Sequence, residues 1–175
     1  MCVHGHFNSH RQASVLQYYP QAGQFVTFLR DPFDRYVSLW FFMPKMAIER
    51  GDTTFIERRR DFATALRQRA RKQQAGNNHQ SLIWYFPHRP DVVDIGAQMD
   101  RSYVFIGIME RYQESLDALA RALGKRRIKV PHLNDTPREN NYEELRPFYR
   151  KHFADEYAVY EAALRHNDEL LRRYR

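Results

Sequence analysis

The sequence predicts an α/β fold in which a short parallel sheet is flanked by helices. The β-rich run 24–29 is followed directly by Asp31 and Pro32, the N-cap and first residue of a new helix. A second β-rich run, 103–108, precedes an amphipathic helix over about 110–123. Because two successive strand-to-helix units pair their strands in parallel, we expect these runs to lie side by side.

The other segments predict mainly helices. Apolar residues recur at helical spacing over about 53–72, and the chain from 142 to 175 favours two helices. We expect a short helix within 91–100 and a brief strand at 127–130. No repeat, low-complexity tract or flexible linker interrupts the sequence, so residues 1–175 are expected to form a single domain.

The composition is that of a globular protein with a packed core. The 175 residues are 43% hydrophobic and 14% aromatic, which excludes a disordered polymer. The single cysteine, Cys2, excludes an internal disulfide framework and a cysteine-cluster zinc site. The start of the chain holds no apolar core of a signal peptide, and no apolar run approaches the ~20 residues of a membrane span. These features favour neither secretion nor membrane insertion.

The charge predicts anionic partners. The formal charge is +7, and arginine outnumbers lysine 23 to 5. Guanidinium groups suit bidentate recognition of phosphate or sulfate, although a basic surface can also be simply solvated. A non-catalytic basic module that binds polyanions, either sulfated glycan or nucleic acid, is therefore one interpretation. No DNA- or RNA-reading motif is present, so nucleic acid is the weaker of those two partners.

The first strand-to-helix junction predicts an anion site. Arg30 stands where the strand ends, beside the free backbone N–H groups and positive dipole end expected of the new helix. Ser38, about two turns into the helix, can donate its hydroxyl to the same anion. Arg35 has two interpretations: it contacts the ligand, or it forms a salt bridge with Asp31 or Asp34.

The pattern Arg-Asp-Pro-x-x-Arg-x-x-Ser-x-Trp over residues 30–40 resembles a motif of the sulfotransferases that use 3'-phosphoadenosine 5'-phosphosulfate (PAPS). In that family the motif binds the 3'-phosphate of the nucleotide, which implies this role for Arg30 and Ser38. The resemblance implies PAPS as donor, adenosine 3',5'-bisphosphate (PAP) as product, no metal, and a hydroxyl-bearing acceptor, namely a glycan. It runs through most of the chain and is weakest over about 44–90.

Three further segments carry the resemblance. His4-Gly5-His6 is similar to the His-Gly-His of the heparan and dermatan uronyl 2-O-sulfotransferases, in which a histidine is the catalytic base. Residues 105–116 are similar to a later strand and helix of the family. Residues 132–137 resemble its loop that closes over the nucleotide, which makes Thr136 and Arg138 candidate nucleotide contacts.

The histidines near the start of the chain allow three interpretations. A neutral imidazole is well matched to removing a proton from an acceptor hydroxyl, which favours His6 as the base and His4 as its assistant. They can instead be plain structural residues. Since alternate residues of a strand share a face, Cys2, His4 and His6 can also converge on one metal ion, with His10 as a fourth ligand.

The resemblance implies a P-loop-NTPase-like sulfotransferase fold that lacks its first strand and phosphate loop. No Gly-x-x-x-x-Gly-Lys-Ser/Thr run, nor a looser one with a Lys, occurs in the 175 residues. The chain is then a fragment, receives the loop from a partner, or has lost transfer activity. The family's missing strand is central, so we expect an exposed sheet edge or a swapped neighbour, as in a homodimer.

The composition and the family resemblance each predict a cellular location. The composition favours the cytoplasm if the source is bacterial. An animal-type relative would instead act in the Golgi lumen.

Overall fold

The structure, a computed structural model, describes residues 7, 12–52, 54, 61–76, 82–87, 94–130 and 141–174. In these parts of the chain the helices are α1 (Val15–Tyr18), α2 (Pro32–Glu49), α3 (Phe62–Gln74), α4 (Ile95–Ser102), α5 (Tyr112–Ala122), α6 (Arg146–His152) and α7 (Ala154–Arg173). The strands are β1 (Phe25–Leu29) and β2 (Tyr103–Ile108). Short 3-10 turns cover Leu82–Tyr85, Met109–Arg111 and Glu143–Leu145. The fold is thus mixed α/β and mostly helical.

The two strands form a parallel sheet, as the sequence predicts. The register pairs Phe25 with Tyr103 at one end and Leu29 with Ile108 at the other, with an irregularity after Phe25. Each strand leads into a helix, β1 into α2 and β2 into α5 through a 3-10 turn. The carboxyl ends of both strands therefore meet at one end of the sheet, and Arg30 follows there.

The chain divides into two compact units. Residues 1–30, 79–130 and 155–175 form the first, which we call the sheet unit. Residues 31–78 and 131–154 form the second, which we call the helical unit. The division falls between Arg30 and Asp31.

The core of the sheet unit covers both faces of the strands. One face is formed by buried residues of the strands, α4 and α7, including Leu29, Ile106, Ile108, Met99, Val159, Tyr160 and Ala163. On the other face Phe105 packs with Ala118 of α5 and Leu170 of α7. Burial of these apolar side chains on both sides fixes the sheet between helices, which positions its carboxyl end.

Aromatic rings hold the helical unit together. The Phe33 ring of α2 lies edge-on to Phe62 of α3 and to Tyr149 of α6, with centroids 6.2 and 5.5 Å away. Arg69 is buried beside these rings and donates from Nη1 to the Tyr149 hydroxyl at 2.7 Å. Its guanidinium also lies 4.5 Å from the centroid of Tyr36. A buried cation is tolerated here because ring faces and a hydroxyl replace water.

Two sequence predictions are corrected. The helix expected over 53–72 is interrupted, because Asp61 caps a new helix by accepting a hydrogen bond from the Thr64 amide at 2.9 Å. The strand expected at 127–130 is absent from that described segment. Its Ile128 carbonyl and Val130 amide bond instead to the side chain of Gln113, at 2.9 and 3.2 Å.

Two other helix predictions are confirmed with shifted bounds. The short helix expected within 91–100 is α4, which begins at Ile95 and runs on to Ser102. The two helices expected over 142–175 are α6 and α7. None of the described helices combines the length and the apolar character needed to cross a membrane.

Candidate functional site

Arg30 is placed at the carboxyl end of β1 in the sheet unit, where its side chain is half-buried. The guanidinium makes no hydrogen bond or ion pair with any residue that the structure describes. The other arginines in the described ranges that are not exposed all interact with neighbours: Arg35, Arg69, Arg111 and Arg146. Arg30 is therefore a half-buried cation that has no counter-charge among the residues that the structure describes.

The N-terminus of α2 is capped by its own aspartate. Asp31 Oδ1 accepts from the backbone amides of Phe33 at 2.9 Å and Asp34 at 3.0 Å, which confirms the predicted N-cap. Pro32 has no amide hydrogen, and the Arg35 amide donates to the Asp31 carbonyl at 2.8 Å. Every amide of the first turn is thus accounted for. The expectation of free backbone N–H groups is therefore wrong for the first turn of α2.

Arg146 pairs with both aspartates of that first turn. Its Nη1 lies 2.8 Å from Asp31 Oδ1 and its Nη2 lies 2.7 Å from Asp34 Oδ1. Its Nε lies 2.7 Å from Glu143 Oε2, and its guanidinium covers the Phe33 ring at 4.8 Å. Hydrogen bonding to Glu143, joined by the two aspartates, raises the pKa of Arg146, and the same bond lowers the pKa of Glu143. All five residues belong to the helical unit.

Sequence reasoning missed Arg146 because no local signal marks it. It lies 115 residues from Asp31 and 112 from Asp34 along the chain. The sequence offered Arg35 as a partner for these carboxylates from its spacing on the helix. The long-range contact with Arg146 appears only once α6 packs on α2.

Ser38 and Arg35 lie on α2, three residues apart and half-buried. Side chains three apart share one side of a helix, so these two polar groups lie on the same face. The buried side of this helix is formed by Phe33, Tyr36 and Val37. The structure thus leaves both side chains outside the core of the helical unit.

The other predicted site residues fall outside the described residues. They are His4, His6, Thr136 and Arg138, together with Cys2 and His10 of the alternative metal set. Within the described ranges, no group of three or more histidine, cysteine, aspartate or glutamate side chains is arranged to hold a metal ion.

Comparison with known proteins gives the class of this chain. The model of the Sulfotransferase family matches residues 4–173. The chain has no match among curated proteins or among solved structures. Because the family match spans nearly all 175 residues, the chain belongs to the sulfotransferase family, whose enzymes transfer a sulfuryl group to a hydroxyl-bearing acceptor.

Proposed function

We propose that this sulfotransferase takes its sulfuryl group from PAPS and that Arg30 binds the 3'-phosphate of the nucleotide. The observation that carries the proposal is the half-buried Arg30 side chain without a described counter-charge at the carboxyl end of β1. Partial burial makes an unpaired cation unfavourable, and an anionic ligand removes that cost. A phosphate oxygen pair also matches the fork of a guanidinium.

Ser38 is proposed as the second ligand of the same phosphate. Its hydroxyl lies on α2, half-buried and outside the core of the helical unit. The first-turn amides of α2 are already bonded, so this helix would bind the phosphate through side-chain donors, among them the Ser38 hydroxyl. The spacing of Arg30 and Ser38 in the resembling motif supports the pairing. Arg35, three residues before Ser38, is kept as a candidate contact on the same face.

The chemistry is a group transfer in which the protein binds, orients and moves one proton. PAPS supplies the activated sulfuryl group. The bond from sulfur to the phosphate oxygen breaks as the acceptor oxygen bonds to sulfur, and PAP leaves with the electron pair. The acceptor hydroxyl proton passes to a base, for which we propose His6, with His4 orienting it or the substrate. The family match includes both histidines, and the His-Gly-His resemblance supports this assignment.

The acceptor is proposed to be a carbohydrate hydroxyl, on the resemblance to the uronyl 2-O-sulfotransferases. The net charge of +7 agrees with an acidic glycan. Thr136 and Arg138 are proposed as further nucleotide contacts because they lie in the segment that resembles the family's nucleotide loop.

The test of the nucleotide site compares PAP with 5'-AMP, which lacks the 3'-phosphate. Arg30→Ala is expected to weaken PAP binding about 10- to 100-fold, the range for losing hydrogen bonds to a charged group, and to change AMP binding little. Arg165→Ala is the matched control, since it removes an exposed arginine of α7. Unchanged PAP affinity in the Arg30 variant, measured by calorimetry, would overturn the assignment.

The proposed base has its own test. With PAPS as donor and desulfated heparan or dermatan as acceptor, His6→Ala is expected to lower the transfer rate by about 10²- to 10⁴-fold. His152→Gln, at the end of α6, is the control and should retain the rate. Equal rates for wild type and the His6 variant would place the base elsewhere.

A non-catalytic module that binds polyanions is the second candidate, favoured by the excess of 28 basic over 21 acidic side chains. It predicts steeply salt-dependent binding to generic polyanions and no preference for PAP over AMP. The nucleotide comparison therefore separates the two functions.

A further inference from the structure

A cavity of about 230 Å³ opens beside α4, within the sheet unit. The described residues that line it are Phe86, Pro87, Gln98, Arg101 and Ser102. Ser102 directly precedes the first residue of β2, whereas Arg30 follows the other, carboxyl end of the parallel sheet. β2 has six residues, so its two ends lie about 17 Å apart. The cavity is therefore distinct from the proposed nucleotide site.

The polar side chains of the cavity come from a single helix. Gln98, Arg101 and Ser102 stand at positions i, i+3 and i+4 of α4, which places them on one face of that helix. The carboxamide oxygen of Gln98 is buried and has no hydrogen-bond partner among the residues that the structure describes. A buried acceptor without a donor is unfavourable, so a ligand that brings a hydroxyl group gains that bond.

Arg101 gives the cavity a positive charge. Its Nη2 lies 3.0 Å from Asp94 Oδ2, and the two side chains are 64% and 52% exposed. An ion pair so exposed is weak, so the acid group of a ligand can replace Asp94 on the guanidinium. Asp94 is the N-cap of α4, so the same bond places the guanidinium toward the start of the helix, away from the negative end of its dipole.

The other two lining residues are apolar and buried. Phe86 is 6% exposed and its ring packs edge-on against Tyr103 of β2, with centroids 5.6 Å apart. Pro87 follows it and is also buried. Apolar walls with a few polar groups are the usual form of a small-molecule site. The volume lies below the roughly 300–1,000 Å³ of sites for drug-sized ligands, so the cavity suits a single ring rather than a whole nucleotide.

We propose that this cavity binds one acidic sugar ring, that is, a pyranose that carries a carboxylate or a sulfate. The acid group pairs with Arg101, a ring hydroxyl donates to Gln98, and the C–H face of the sugar packs on Phe86. The assignment uses no residue of the nucleotide site. Its link with the acceptor rests on the proposed function, because a polymeric acidic glycan that reacts near Arg30 would make a second, remote contact here.

The test is an NMR titration of the full chain with methyl glucuronide and with methyl glucoside, its neutral counterpart. The two share the ring and differ in the carboxylate, so the glucuronide is expected to bind more tightly, with a millimolar dissociation constant. Arg101→Ala should weaken glucuronide binding about 10- to 100-fold and change glucoside binding little. Asp94→Asn removes the competing carboxylate and should tighten glucuronide binding, by up to about fivefold. A merely structural role of this ion pair would not give opposite effects for its two members.

A second variant tests the buried oxygen of the cavity. Gln98→Leu should weaken the binding of both sugars about 2- to 10-fold, because it removes the acceptor of the ring hydroxyl. It should leave the melting temperature unchanged or higher, since a buried acceptor without a described donor is lost. Arg126→Ala, at an exposed arginine of the sheet unit outside the cavity, is the matched control and should bind both sugars as wild type does.

Three results would overturn the inference: no saturable binding of the glucuronide, equal affinities in the Arg101 and Arg126 variants, or displacement of the glucuronide by PAP. Benzoate that binds as tightly as the glucuronide would overturn the assignment to a sugar.

A desulfated heparan hexasaccharide distinguishes the two sources of such a ring. Weaker hexasaccharide binding by Arg101→Ala identifies the ligand as a residue of a polymer, whereas an effect on the monosaccharide alone identifies a free acidic sugar. If Arg30→Ala leaves PAP binding unchanged, the proposed nucleotide site fails and the cavity assignment stands. If Arg101→Ala leaves glucuronide binding unchanged, only the cavity assignment fails.

Discussion

Asn167 of α7 donates from Nδ2 to the carbonyl oxygen of Ile106 in β2 at 2.7 Å. Asn167 is fully buried and its Nδ2 also lies 3.3 Å from the hydroxyl of Ser115. That hydroxyl accepts from the amide of Ile108 at 3.0 Å. The Ser115 side chain of α5 and the Asn167 side chain of α7 thus hydrogen-bond to backbone groups of β2. In a wider sheet, a neighbouring strand would bond to such groups. Because Ile108 pairs with Leu29, this network also fixes the strand end that carries Arg30.

Asn167→Ala is expected to destabilise the protein by about 1–3 kcal/mol, because it leaves the buried Ile106 carbonyl without its donor. Urea unfolding measures the change. Glu169→Ala, an exposed position of the same helix, is the control and should lie within about 0.5 kcal/mol of wild type. Equal stability of the two variants would show that the network contributes nothing.

Gly107 in β2 is required by the ring of Phe28 in β1. A Cβ built at Gly107 would overlap that ring, which packs edge-on against Tyr112 with centroids 5.3 Å apart. Gly107→Ala should therefore cost about 1–3 kcal/mol through overpacking. Gly96→Ala is the same substitution in α4 with nothing within 4 Å, and it should stabilise by about 0.5–1 kcal/mol. The unfolding free energies of both variants are compared with that of wild type. Changes of the same sign in the two variants would contradict this account.

The buried Arg69 is expected to be essential to the helical unit. Its guanidinium donates to the Tyr149 hydroxyl and lies 4.5 and 4.6 Å from the ring centroids of Tyr36 and Phe153. Arg69→Ala opens a cavity and removes the donor, a loss of about 2–5 kcal/mol. Arg67→Ala, exposed on the same helix, is the control. Similar melting temperatures for the two variants would contradict the buried role.

Tyr103 gives a prediction for alkaline pH. Burial raises the pKa of its hydroxyl above the ordinary value. The unfolded chain therefore ionises first, so this contribution to stability is complete below about pH 10 and is lost as the pH rises further. Tyr103→Phe keeps the ring and should make stability fall less steeply above that pH, by up to about 1.4 kcal/mol per pH unit.

The control for this pH dependence is Tyr18→Phe at an exposed tyrosine. Because it changes an exposed side chain, its unfolding free energy at pH 8 should lie within about 0.5 kcal/mol of wild type. Parallel curves for wild type and Tyr103→Phe, in chemical unfolding between pH 8 and 11, would contradict the assignment.

The elements that short sequence patterns specify were predicted from the sequence. The run before Asp31 and the Asp-Pro cap predicted β1 and the start of α2, and the second run predicted β2 and its parallel pairing. The cap itself was predicted, but its consequence was not: Asp31 occupies the amides that an anion would otherwise use.

Long-range contacts account for most of what was missed. Arg146 reaches Asp34 only through the packing of α6 on α2, and Gln113 binds the segment expected as a strand at 127–130. The helix start at Asp61 was not predicted, because the apolar periodicity of the sequence continues through that position. The cap consists of one hydrogen bond from the Thr64 amide to the Asp61 carboxylate, and such a bond does not alter the spacing of the apolar residues. The roles of Arg30 and Ser38 were inferred from the motif at residues 30–40. They stay predictions that nucleotide binding tests.

The most direct measurement is a calorimetric titration of the unsubstituted chain with PAP and, separately, with 5'-AMP at the same salt concentration. We predict that PAP binds at least about tenfold more tightly, because only PAP presents a 3'-phosphate to Arg30. Equal affinities for the two nucleotides, or binding of neither, would contradict the central claim that Arg30 belongs to a 3'-phosphate site.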